Sequence, residues 1–168
     1  MPLTEDGRHL HVSETEYSAL IETLARKVHQ SGWEFDLVLC LARGGLRPGD
    51  ILSRIFDRPL AILSASSYRA AAGTVQDKLD IAPHISCASN IEGRVLLVDD
   101  MVDSGATLSG VVQWLKTGCP EITELRTAVL WQKAVATFRP DYALEFLPTS
   151  PWIHQPFEKY DGMSASDL

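Results

Sequence analysis

The sequence predicts an α/β fold, a doubly wound and mainly parallel sheet flanked by helices, and three observations carry that prediction. Short apolar runs at Asp36–Ala42, Leu60–Leu63, Val95–Val98 and Ile122–Trp131 are continuously hydrophobic over much of their length, as strands buried on both faces are. Between them, Tyr17, Leu20, Ile21, Leu24 and Val28, then Ile51, Leu52 and Ile55, then Leu108, Val111, Val112 and Leu115 follow the helical spacing of one apolar face. Two of the strands run straight into loops rich in Gly, Asp or Ser that open the next helix, where open α/β sheets gather their ligands.

With 168 residues, 45% hydrophobic and 22% charged, the chain suits one domain spanning residues 1–168. The net charge of -7 argues against nucleic acid as a partner. Cys40, Cys87 and Cys119 are scattered and odd in number, which suggests neither a disulfide framework nor a zinc site, and points to a reducing cytoplasm. No stretch approaches the roughly 20 apolar residues of a membrane span, and the N-terminus lacks the order of a signal peptide. A soluble, unexported protein with no membrane partner is the expectation.

In chain order, Arg8–Val12 alternates like a short edge strand, and Ser13-Glu-Thr-Glu16 has the form of a capping box. The helix that follows stops at Ser31-Gly32. The strand at 36–42 enters Arg43-Gly44-Gly45, where converging amides and a guanidinium could hold an oxyanion; an ordinary tight turn has the same spelling. Ser64–Asp77 is small and polar with no obvious packed element, and Leu79–Ser86 returns as a strand that Pro83 confines to an edge. Ile122–Trp131 leads to Gln132-Lys133, Asp141–Leu147 is the last sheet strand, and Gly162–Leu168 is a frayed tail.

The densest chemistry lies in Asp99–Thr107. The first amides of the helix after it are unpaired and suit phosphate. Ser104 and Thr107 add hydroxyls and Gly105 adds backbone freedom. The loop lacks the Gly-Lys-Ser/Thr ending of a Walker A loop. Asp99 and Asp100, at the strand's carboxyl end, could accept from sugar hydroxyls or bind Mg²⁺. A phosphorylated ribose fits these groups together. A βα turn with acidic capping residues is the plainer alternative; a receiver domain fails because its acidic pair lies near its start.

Val95-Leu-Leu-Val-Asp-Asp-Met-Val-Asp-Ser-Gly-Ala-Thr107 resembles the phosphoribosyl pyrophosphate (PRPP) motif of the type I phosphoribosyltransferases. Arg43-Gly44-Gly45 resembles that family's pyrophosphate loop, often preceded by a cis peptide, here Ala42–Arg43. Ser66-Ser67-Tyr68 resembles the start of the mobile hood loop of the purine-using members, an ordinary solvated loop being the alternative. Pro151-Trp-Ile-His-Gln-Pro-Phe-Glu158 looks like the base-binding loop of the 6-oxopurine members, xanthine-guanine phosphoribosyltransferases among them.

The resemblance implies a core over about 36–147 and a small hood from the N-terminal and C-terminal segments. It implies Mg²⁺-dependent transfer of 5-phosphoribosyl from PRPP to guanine, xanthine or hypoxanthine, a purine-salvage step, in a homodimer or homotetramer. Asp99, Asp100, Asp103, Ser104, Gly105, Ala106 and Thr107 would hold the ribose 5-phosphate, with Asp103 facing N7 as the catalytic group. Lys133 would meet the 6-oxo group, Trp152 would stack on the base, Ile153 would offer backbone groups, and Asp100 and Glu158 would serve metal. From the residues alone, Lys133 could equally be a surface lysine and Trp152 a core residue. Phe157-Glu158 departs from the family's usual Trp-Asp, and no proline adjoins Lys133. Transfer to another base, or a regulator that senses PRPP or a nucleotide without turnover, are the rival functions.

Overall fold

A computed structural model describes residues 3–67 and 79–167. Its elements are β1 (His9–His11), α1 (Glu14–Gln30), β2 (Leu37–Ala42), α2 (Leu46–Ile55), β3 (Leu60–Ser67), β4 (Leu79–Ile81), β5 (Ser86–Cys87), β6 (Gly93–Val98), β7 (Met101–Val102), α3 (Ala106–Gly118), β8 (Ile122–Lys133), β9 (Tyr142–Leu147) and β10 (Trp152–His154). The fold is α/β, as expected.

β2 lies between β3 and β6 and is parallel to both, β6 is parallel to β8, and β8 is parallel to β7 and β9. Among the described strands of this sheet only β4 and β5, on the outer side of β3, run antiparallel. From β2 the chain goes to β3 on one side and returns to β6 on the other, so the winding direction reverses between β2 and β6. Ligands of open α/β sheets bind beyond the carboxyl ends of the strands at such a point.

The continuous apolar strands are explained by cover on both faces. Leu96 and Val98 of β6 pack with Tyr17, Leu20, Leu24 and Val28 of α1 and Leu52 of α2. Val95 and Leu97, pointing the other way, pack with Leu108, Val111 and Leu115 of α3. Every residue from Val95 to Val98 is fully buried.

α1 begins with the expected capping box: the Ser13 amide donates to Glu16 Oε2 at 2.9 Å, and the Glu16 amide donates to Ser13 Oγ at 3.3 Å. Ser13→Ala should therefore cost about 1 kcal/mol, read as a lower midpoint in urea unfolding at an unchanged slope.

Four details depart from the sequence expectations. β3 continues through Ser67, because Ser66 and Ser67 pair with Asp80 and Leu79 of β4; ladder partners outweigh their small polar character. The strand expected at Leu79–Ser86 is split into β4 and β5, with Pro83, which has no N–H to give, in the gap. A short β7 interrupts the loop after Asp100 and pairs with the end of β8. The tail holds a 3-10 turn at Ala165–Asp167.

β1 and β10, from opposite ends of the chain, form a parallel two-stranded sheet with His9 opposite Trp152 and His11 opposite His154. The His11 and His154 rings stack at 4.4 Å. Among the described residues no helix is long and apolar enough to cross a membrane. All three cysteines are free, and burial pushes the Cys40 thiol up to about 11.

Candidate active site

The loops after β2 and β6 touch. A Cβ on Gly44 would stand 2.5 Å from Asp100 Oδ1, and one on Gly45 would stand 2.4 Å from the Val98 carbonyl oxygen and 2.8 Å from that of Leu41. Both glycines are demanded by close approach, which a plain tight turn would not require. The Ala42–Arg43 peptide is cis. Arg43 is exposed and lies 3.7 Å from Asp161, a partner with no counterpart among the sequence expectations.

Asp99 and Asp100 are both half-buried at the end of β6. The Asp100 amide donates to Asp99 Oδ1 at 2.9 Å, and the Met101 amide donates to Asp100 Oδ1 at 2.8 Å. Burial raises the pKa of Asp99, and the neighbouring Asp100 charge raises it further. Burial also raises that of Asp100, opposed first by the hydrogen bond from Gln155. Tyr17 of α1 packs close by: after burial, the Asp100 charge is the next cause raising its hydroxyl pKa.

The helices around this crevice begin differently from α1. α1 has a side-chain cap and Glu14 and Glu16 in its first turn, whereas α2 and α3 start at Gly45 and Gly105 with no side-chain cap and no acid in the first turn. At α2 the Gly45 amide already donates to the Leu41 carbonyl at 2.8 Å and the Leu46 amide to the Arg43 carbonyl at 3.1 Å, so what both helix starts offer an anion is chiefly the unopposed positive end of the helix. Gly105 has φ 94°, the left-handed region, and a Cβ there would lie 2.6 Å from Phe138 Cβ. The Ser104 carbonyl is braced from outside by the Thr137 amide at 2.9 Å and hydroxyl at 3.0 Å. Ala106 donates its amide to Ser104 Oγ at 3.3 Å.

Lys133 closes β8 and its Nζ lies 3.4 Å from Asp103 Oδ2, although the residue is only 7% exposed. It is thus a buried lysine, not a surface one. Along β10 and the residue after it burial alternates: Ile153 and Gln155 are buried, while Trp152 is 57% exposed and so is not a core residue. The Trp152 indole N–H donates to Glu158 Oε2 at 3.3 Å, and His154 Nδ1 lies 4.0 Å from the same oxygen. Of the hood-loop residues, Ser66 and Ser67 stand in β3, and Tyr68 lies outside the described residues. Among the described residues no group of three or more His, Cys, Asp and Glu side chains could by itself cage a metal ion.

Gln155 is the residue that sequence reasoning passed over. Its Nε2 donates to Asp100 Oδ2, and its Oε1 is buried with no hydrogen-bond partner among the described residues. The signal was available: in a strand that alternates, a glutamine two places after Ile153 falls on the inward side, and buried amides are kept where they have something to hold.

Two helix starts without side-chain caps and two adjacent carboxylates meet at the sheet's switch point, an arrangement that suits an anionic ligand carrying hydroxyls. The phosphoribosyl transferase domain family matches residues 13–161, and the chain belongs to it. Over 99 residues it is 30% identical to a hypoxanthine/guanine phosphoribosyltransferase of Methanopyrus kandleri, a match covering 57% of this chain and 53% of that protein. The chain spans about half the length of the curated relatives it matches. Among solved structures, it is similar to a purine phosphoribosyltransferase from Pyrococcus horikoshii (29% identity, TM-score 0.72, covering 89% of this chain and 93% of that one). It is also similar to the Helicobacter pylori xanthine-guanine-hypoxanthine phosphoribosyltransferase (29% identity, TM-score 0.71, covering 87% and 91%).

Proposed function

We propose that this chain transfers a 5-phosphoribosyl group from PRPP to N9 of a 6-oxopurine, releasing pyrophosphate and a purine nucleoside monophosphate. The observation that carries the proposal is the buried Lys133 standing 3.4 Å from Asp103. A lysine offers donors only and a carboxylate acceptors only. Side by side at the edge of a phosphate cradle, they suit a base with a carbonyl oxygen next to a ring nitrogen that carries a proton. Adenine would turn its amino group towards the lysine, donor against donor. The 6-oxopurine and purine substrates in the names of the relatives support the same choice.

The 5-phosphate would rest on the amides of residues 104–107 with the Ser104 and Thr107 hydroxyls. Pyrophosphate would lie against Arg43 and the Gly44 amide, beside a Gly45 whose own amide donates to the Leu41 carbonyl at 2.8 Å, and the ribose diol against Asp99 and Asp100. Holding both partners in line converts a bimolecular step into a local one. As the bond from C1 to the pyrophosphate oxygen breaks, N9 supplies the electron pair for the new bond. Asp103 takes up the proton that the base must lose or steadies it at N7. Negative charge grows on the leaving oxygen, where amides and guanidinium are already oriented.

The donors fit Mg²⁺. That ion is usually held by one or two carboxylates plus substrate oxygens and water rather than by a protein cage, and Asp100 offers a half-buried carboxylate at the crevice. Glu158, which now holds the Trp152 indole, is the second carboxylate proposed for it. Mg²⁺ would supply positive charge opposite the pyrophosphate.

The test is pyrophosphate release with PRPP, Mg²⁺ and each base in turn. Guanine, xanthine or hypoxanthine should support release, and adenine, uracil and orotate should not. Release with adenine at a comparable rate would overturn the assignment of the base, and PRPP binding without release under any base would favour a sensor. Asp103→Ala should lower kcat roughly 10²-fold or more while PRPP affinity, measured by calorimetry, changes only a few-fold.

A further inference from the structure

We infer that Gln155 is a positioning residue that fixes the Asp100 carboxylate for metal-bound PRPP and thereby ties the base-binding segment to the PRPP cradle. The inference rests on the proposed phosphoribosyl chemistry and adds a residue to it.

Asp100 is held on three sides. The Met101 amide takes Oδ1 at 2.8 Å, the Gly44 backbone leaves no room beside the carboxylate, and Gln155 Nε2 takes Oδ2. The first two contacts come from the two loops that make the cradle. The third comes from beyond β10, from a residue 5% exposed and next but one to Ile153. The same short segment carries Trp152 and Glu158, so its docking and the orientation of Asp100 are one event.

The chemistry explains why an amide serves here. A half-buried carboxylate that must accept both a cation and sugar hydroxyls needs one lone pair on each oxygen fixed and the other left available. A neutral donor does this without adding a charge that would compete with the cation, as a lysine or arginine would. Gln155 Oε1, buried without a partner among the described residues, leaves the amide anchored through its nitrogen, which donates to Asp100. Removing the donor frees the carboxylate to turn, and the cost falls on the ligands that need it in place. The 5-phosphate pocket at residues 104–107 has its own supports from Thr137 and Phe138, none of which passes through Gln155.

The experiment compares the parent chain with Gln155→Met, close in size but without a donor, and Gln155→Asn, which keeps the amide on a shorter arm. Two affinities are measured by calorimetry: Mg²⁺·PRPP, and guanosine monophosphate in EDTA. Gln155→Met should weaken Mg²⁺·PRPP binding about ten-fold, the usual scale for a hydrogen bond to a charged group, and weaken guanosine monophosphate, which shares the ribose diol and the base segment but brings no metal, by clearly less, about two- to three-fold. Gln155→Asn should fall between it and the parent. In turnover, KM for PRPP should rise about as much as that affinity falls, with KM for the base rising by less. Equal Mg²⁺·PRPP affinity in parent and Gln155→Met would overturn the inference. Equal losses of both ligands would also overturn it, by showing general loosening of the fold. A parent chain that binds no PRPP would instead overturn the proposed function.

Discussion

Asp99→Asn is expected to make the ligand-free protein more stable at neutral pH and to remove most of its turnover. The first effect follows from linkage. A carboxyl whose pKa is raised in the folded chain binds its proton more tightly there than when unfolded, so it favours folding at low pH. That advantage is lost as pH rises from the ordinary 3.8 through the raised value, and above it the folded chain carries two crowded charges. Asparagine keeps the Oδ1 that accepts the Asp100 amide and removes one of those charges. A gain in stability at pH 7 is expected, and stability should fall less steeply above pH 4 than in the parent. Urea unfolding across pH 4–8 measures both. Activity should fall because the ribose diol loses an ionised acceptor. A variant less stable than the parent at pH 7 would show that Asp99 is instead paid for by native contacts.

Gly44→Ala and Gly45→Ala should fail in different ways. The added methyl at Gly44 meets the Asp100 carboxylate at 2.5 Å, the end of a side chain that can turn away. The chain should fold, with an unfolding midpoint near the parent's, yet lose PRPP binding and about 10²-fold or more in kcat/KM, because Asp100 leaves both Gln155 and the Met101 amide. At Gly45 the methyl meets backbone, the Val98 and Leu41 carbonyl oxygens at 2.4 and 2.8 Å. Neither can move without displacing β2 or β6, so stability itself should drop by several kcal/mol. Thermal unfolding alongside a PRPP titration separates the two outcomes.

What could be seen in the sequence was local. The apolar runs of β2, β6 and β8, the Ser13 capping box and the Asp99–Thr107 loop each carry their meaning within a few neighbours, and each stands where expected. Features that depend on remote pairing were hidden. β1 stands inside the edge strand expected at Arg8–Val12, but its parallel partner β10, at the opposite end of the chain, could not be read from its neighbours. Ser66 and Ser67 read as loop until β4 supplies their ladder. Gln155 and Asp161 acquire their partners only when the C-terminal segment folds over the cradle. Lys133 and Asp103 were both legible, but their contact with each other was not, because it depends on β7 and β8 ending side by side.

The most direct measurement is a crystal structure of the full chain with Mg²⁺ and PRPP. The 5-phosphate should lie on the amides of residues 104–107, the pyrophosphate against Arg43, Gly44 and Gly45, and the ribose hydroxyls at Asp99 and Asp100. PRPP bound elsewhere, or in this crevice with its phosphate turned away from the start of α3, would contradict the account.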